Sequence, residues 1–194
     1  MNTVFVDVDT QIDFLFPAGA LYVPGAEGII PVVAALNGHA ARTGATVLSS
    51  VDAHAEDDAE FGAWPAHCVA GTVGQRKPAC TLLERRIVVP SARGAVFSLD
   101  SCQQILIEKQ HLDLFTNANL SFVLDHLQAQ RYVVYGVVTE ICVRCAAFGL
   151  LRLGKLVELV TDAVRSLDEK KAGEMFGEFT GAGGLLTTSA DVMG

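Results

Sequence analysis

Gly136-Val137-Val138-Thr139-Glu140-Ile141-Cys142-Val143 follows the apolar run Tyr132 to Tyr135. It reads as the end of a buried strand, a short turn and the start of a helix that begins near the cysteine. That helix runs through Ala146, Ala147, Leu150 and Leu151 to a stop at Gly154. A thiol at a helix N-terminus meets unpaired N–H groups and the positive end of the helix dipole, which favour the thiolate, the form that attacks carbon or sulfur. One stretch therefore supplies both a fold element and a candidate nucleophile, Cys142.

The same alternation extends in both directions. Val4 to Asp9 is a short apolar strand of the kind buried on both faces in parallel sheets, with Asp9 at its exit. Ile29 to Arg42 carries apolar residues at near-helical spacing and stops at Gly44, and Ala45 to Val51 is the second strand. Residues 69 to 104 give weak signals, with Ile87 to Pro90 and Ala95 to Leu99 as small extra strands at most. Ile105 to Glu108 is the third main strand, with Lys109 at its exit. Asn117 or Asn119 can cap a helix over Leu120 to Gln130, and Tyr132 to Val137 is the fourth strand. Leu156 to Val160 and Gly184 to Thr187 add a fifth and sixth, separated by a charged helix over 167 to 179. Strands alternating with helices predict a three-layer α/β fold, a six-stranded parallel sheet flanked by helices in the Rossmann-like manner, in one domain over 1–194.

Composition narrows the function classes. No uncharged apolar run approaches the roughly 18 to 20 residues of a membrane span, and the first residues read as a strand and not a signal peptide, so a cytoplasmic protein is expected. A net charge of -8, with no basic cluster beyond Arg85-Arg86, argues against nucleic acid and for a small-molecule substrate. Five cysteines without regular spacing suggest reduced thiols. Self-association is an open expectation.

In such sheets ligands bind outside the carboxyl ends of the strands. Asp9, Asp52, His54, Lys109 and Cys142 all fall at or just past predicted strand ends. Taken singly, an Asp or Lys there is more often solvated and a Cys in an apolar run more often core. Together on one rim they supply a carboxylate to take a thiol proton, an ammonium to hold a thiolate and a nucleophile for a carbonyl carbon. Asp52-Ala53-His54, joined by His67, offers two imidazoles and a carboxylate, a set suited to zinc, iron or manganese, with Glu60 as a candidate fourth ligand. Phe14, Trp64 and Phe115 are candidate walls of an aromatic pocket.

One rival reading uses Cys142-Val143-Arg144-Cys145 as a dithiol redox pair. It leaves Asp9, Lys109 and the Asp52/His54/His67 set without a task. A catalytically silent binding module is a further alternative.

With these residues in place, the chain resembles the isochorismatase-like cysteine hydrolases, and within them the nicotinamidase/pyrazinamidase group. Asp9-Thr10-Gln11-Ile12-Asp13-Phe14 matches D-x-Q-x-D-F, Lys109 the strand-end lysine, and Gly136 to Val143 the nucleophile turn. Asp52-Ala53-His54 and Trp64-Pro65-Ala66-His67-Cys68 resemble the D-x-H and W-P-x-H-C segments of the metal-carrying branch. The resemblance implies a cis peptide at Val137-Val138, an oxyanion hole formed by the Val138 and Cys142 amides, a divalent metal, and hydrolysis of a small amide such as nicotinamide through a thioester on Cys142. Val138 stands where the family often has Ala, and the residues after Lys109 carry no nicotinamidase-specific signature. Another small amide or carbamoyl compound therefore remains an open substrate.

Overall fold

The computed structural model describes residues 2–194. Seven strands form one wholly parallel sheet: β1 (Thr3–Val8), β2 (Thr46–Asp52), β3 (Arg86–Val89), β4 (Gln104–Lys109), β5 (Arg131–Val137), β6 (Leu156–Arg165) and β7 (Leu185–Thr187), in the order β3-β4-β2-β1-β5-β6-β7. The sequence predicts six. The additional strand is β3, which corresponds to the small extra strand read at Ile87 to Pro90; it lies on the sheet edge with one partner and partial exposure, which leaves little hydrophobic pattern. Ala95 to Leu99 forms no strand.

Helices α1 (Ile12–Leu15), α2 (Ile30–Thr43), α3 (Leu120–Leu127), α4 (Arg144–Arg152), α5 (Glu169–Gly181) and α6 (Ser189–Met193) complete the fold. Pro31 occupies the first turn of α2, where its missing N–H costs nothing, and Gly44 ends it at φ 76°. The side chain of Asp168 caps α5 by accepting from the Lys170 and Lys171 amides. α3 stops three residues short of its predicted end because Gln128 turns left-handed at φ 46°. Asn119 precedes α3 but does not cap it through its side chain, which donates to the Pro90 and Ala92 carbonyls instead. None of the helices over the described residues is long and apolar enough to cross a membrane.

Period-2 alternation along the central strand divides the core. Val4, Val6 and Val8 pack on one face with residues of α3, α4 and α5, among them Val123, Ala146, Leu150, Met175 and Phe179. Phe5 faces the other way, against Val33, Leu36 and Ala40 of α2 and Tyr135 of β5. The central position of β1 brings the carboxyl ends of β4, β2, β1 and β5 side by side, and the candidate site lies there.

Candidate active site and metal cluster

Asp9 follows β1 with φ 49°, a left-handed conformation that few non-glycine residues adopt and that Asp tolerates better than most. Its amide donates to the Ser50 carbonyl at 3.1 Å, and its carbonyl accepts from the Gln11 amide at 2.7 Å. The Ser50 hydroxyl donates to Asp9 Oδ1 at 2.6 Å. Asp9 Oδ2 lies 2.9 Å from Lys109 Nζ but accepts no well-directed hydrogen bond, so a lone pair stays open to a proton.

Lys109 ends β4 directly beside Asp52, the last residue of β2. Its ammonium bonds Asp52 Oδ1 and stands 4.0 Å from Cys142 Sγ. Asp9, Lys109 and Cys142 are all buried, at 1 %, 1 % and 6 % exposure. The sequence elements therefore converge on one enclosed group.

Gly136 makes this convergence possible. At φ 122°, a Cβ there would sit 2.1 Å from the Val8 carbonyl oxygen, so β5 approaches β1 just before Asp9 more closely than any side chain allows. The Val137–Val138 peptide that follows is cis. Thr139–Val143 then forms one turn of π-helix, and only from Arg144 does the chain become α-helical. The Val138 carbonyl accepts from the Ile141 and Val143 amides, each at 3.1 Å, and passes over the Cys142 amide between them.

The expectation of a ready thiolate is corrected by this environment. Burial pushes the Cys142 thiol well above its usual range, Lys109 pulls it back, and Asp9 and Asp52 push it further up. Burial likewise raises the Asp9 carboxyl, against the pull of Lys109. Burial would also raise Asp52, but Lys109 and the His54 and His67 imidazoles hold it well below the usual carboxylate range. Burial alone would lower Lys109, yet Asp52 and Asp9 keep it firmly protonated. Asp52 thus carries the permanent negative charge, and Asp9 is the carboxylate able to exchange a proton with the thiol.

Asp52, His54 and His67 each present one ligand atom, all within 4.8 Å of one another. His54 Nδ1 lies 3.0 Å from Asp58 Oδ2 and His67 Nδ1 lies 2.7 Å from the Pro65 carbonyl. With a proton on each Nδ1, the Nε2 lone pairs turn towards Asp52 Oδ2, at 3.8 and 3.7 Å. His54 Nε2 is buried and has no hydrogen-bond partner, an arrangement that a bound cation would satisfy. Two imidazoles and a carboxylate fit zinc, iron(II) or manganese. Glu60 stands outside this three-residue cluster and lines the adjoining pocket, where burial and the Asp52 charge raise its carboxyl.

The pocket has an empty volume of about 350 Å³, part of it open to solvent. Cys142, Asp52, His67 and Glu60 lie on its polar side, and Phe14, Trp64, Leu112, Val138 and Leu167 are among its apolar walls. Among the described residues no lysine or arginine lines it. Phe14 and Trp64 stand where the sequence places them, but Phe115 does not. Its ring packs so tightly on α4 that a Cβ on Gly149 would meet it at 2.0 Å, and Leu112 of the same segment takes the pocket position. Leu21, Val23, Leu112 and Leu167 are wall residues the sequence does not announce, because isolated aliphatics in loops carry no pattern, and Ile141 of the nucleophile turn joins them. Phe61, also unannounced, meets the His54 ring at a tilt and the His67 ring edge-on, at centroid distances of 5.3 and 5.8 Å.

The Isochorismatase domain model matches residues 3–191. Nicotinamidase of Escherichia coli (strain K12) is 27% identical over 95% of this chain and 93% of its own length. The pyrazinamidase of Pyrococcus horikoshii, solved in complex with zinc, superposes with a TM-score of 0.80 at 27% identity, covering 97% of this chain and 99% of that one. N-carbamoylsarcosine amidase from Thermoplasma acidophilum shares the fold, with a TM-score of 0.78 at 23% identity over 97% of both chains.

Proposed function

The chain belongs to the isochorismatase domain family, and on that premise we propose that it is a metal-containing cysteine amidohydrolase releasing ammonia from a small carboxamide, nicotinamide first among them. The observation that carries this reading is the enclosed Asp9–Lys109–Cys142 group opening on a largely apolar pocket. The nicotinamidase and pyrazinamidase relatives support the amide-hydrolysing branch. The pocket itself favours an uncharged ring. Most of its walls are apolar, and among the described residues no lysine or arginine lines it to pair with a substrate carboxylate.

Asp9 Oδ2 accepts the Cys142 proton while Lys109 Nζ stabilises the charge left on sulfur. Sulfur then adds to the carboxamide carbon, and the oxygen charge is received by the Val138 and Cys142 amides. The C–N bond breaks, the Asp9 proton goes to the departing nitrogen as ammonia leaves, and a thioester remains. Water gives a proton to Asp9 and adds to the thioester. The carboxylic acid departs, and the proton returns to sulfur. Asp52, His54 and His67 would hold a divalent metal, with zinc favoured by the zinc-bound relative. Bound there, it supplies a Lewis-acid anchor that orients a ring nitrogen.

Ammonia release from nicotinamide, pyrazinamide and N-carbamoylsarcosine tests the reading. The expected result is turnover of the uncharged amides, abolished in Cys142→Ala and retained within about twofold in Cys145→Ala, since the chemistry uses one thiol. Equal loss in both cysteine variants would favour the dithiol reading instead. Turnover undiminished in Cys142→Ala would sink the thioester mechanism.

A further inference from the structure

A second buried ammonium takes no part in the chemistry above. Asp7 of β1 and Lys77 of the irregular segment after His67 are 0 % and 6 % exposed, with Lys77 Nζ 3.0 Å from Asp7 Oδ2. The fully buried Thr10 hydroxyl joins them, accepting from Lys77 Nζ at 2.5 Å and donating to Asp7 Oδ1 at 2.6 Å. Asp7 Oδ2 also accepts from Asn37 Nδ2 at 3.1 Å and Ser49 Oγ at 3.3 Å. A buried ion pair seldom adds net stability over apolar packing, because desolvating two charges offsets their attraction. Its presence here calls for another consequence.

That consequence lies one residue along the chain. Thr10 adjoins Asp9, whose left-handed φ persists only where its surroundings hold it. On the far side, the Gln11 side chain accepts from the Asp52 amide at 2.7 Å and donates to the Asp52 and Gln75 carbonyls at 2.9 and 2.7 Å. The segment carrying Lys77 also docks on the backbone of the turn, through Ile12 N to Arg76 O at 2.8 Å and Asp13 N to Gly74 O at 3.0 Å. We propose that Lys77, acting through Thr10 and Asp7, is a positioning residue that fixes the turn at Asp9 and so aims Asp9 Oδ2 at the Cys142 thiol. This rests on the reading that Asp9 exchanges the thiol proton.

Two substitutions at Thr10 separate positioning from packing. Thr10→Val keeps the shape and removes the hydroxyl, whereas Thr10→Ser keeps the hydroxyl and removes a methyl group. With nicotinamide, Thr10→Val is expected to lower kcat about ten- to a hundredfold, with KM and bound metal per chain unchanged, while Thr10→Ser stays within about threefold of wild type. Lys77→Met follows Thr10→Val; if it fails to fold, the Thr10 pair decides alone. Wild-type kcat in Thr10→Val, or a loss in Thr10→Ser as large as in Thr10→Val, overturns the proposal. Alkylation of Cys142 by iodoacetamide supplies a readout without an amide. Should the wild type release no ammonia, the amidase reading falls. The clamp then stands if alkylation is slower in Thr10→Val than in Thr10→Ser and wild type, and falls if the three rates agree.

Discussion

Two lysines are buried beneath the carboxyl edge of this sheet, and their surroundings differ. Lys77 faces one carboxylate and a hydroxyl, and Asp7 is filled on both oxygens by Lys77, Thr10, Asn37 and Ser49. Lys109 faces two carboxylates and a thiol, and Asp9 Oδ2 beside it keeps a lone pair without a directed partner. A closed network holds geometry, whereas one with an unfilled acceptor can move a proton. The contrast teaches that burial and charge alone do not mark a reacting group. What distinguishes it is the unsatisfied atom, next to a pocket.

The largest effect expected from this contrast is on turnover. Lys109→Met leaves Asp9 and Asp52 facing each other without a cation, and steady-state ammonia release should fall about a thousandfold or more, well beyond the loss in Lys77→Met. Equal losses in the two variants would erase the distinction. Metal retention comes next, because Lys109 shares Asp52 with the metal cluster and Lys77 does not. Burial lowers the His54 imidazole pKa, but Asp52 and Asp58 raise it by more, so the net shift is upward. An imidazolium has no lone pair, so protons compete with the metal for His54, and bound metal per chain should fall as pH falls. Elemental analysis after dialysis across pH reads this directly, and Lys77→Met should follow the wild-type curve. The smallest effect is on the acid limb of kcat/KM. Asp9 must be ionised to accept the thiol proton, and its raised pKa places the loss of activity on acidification above the ordinary carboxylate range. A limb at the value of a free carboxylate would contradict the role given to Asp9.

Much of the site was legible because strand ends punctuate the sequence. Asp9, Asp52, His54, Lys109 and Cys142 each follow a recognisable apolar run, and the strand order places those runs side by side. The state of the thiol was not legible, since a local pattern shows a helix start but not the depth at which it is buried. Phe115 was misplaced because an aromatic side chain can face a pocket or a helix, and the close approach to Gly149 that decides it is tertiary. Lys77 lies in the stretch of 69 to 104 that has little periodicity, where residues are held by contacts to distant backbone and not by their neighbours. The seventh strand was only faintly legible, at Ile87 to Pro90, because a four-residue edge strand leaves almost no alternation to detect.

The strand order also bears on when the site can assemble. Asp9, Asp52, Lys109 and Cys142 come from four adjacent strands that are far apart along the chain, so no stretch synthesised on its own holds a working fragment of the site. Such long-range pairing forms slowly and late in folding. A nascent chain therefore lacks the assembled group until the segment bearing Cys142 has emerged and docked against β1, and recovery of turnover after dilution from denaturant would report completion of the central sheet.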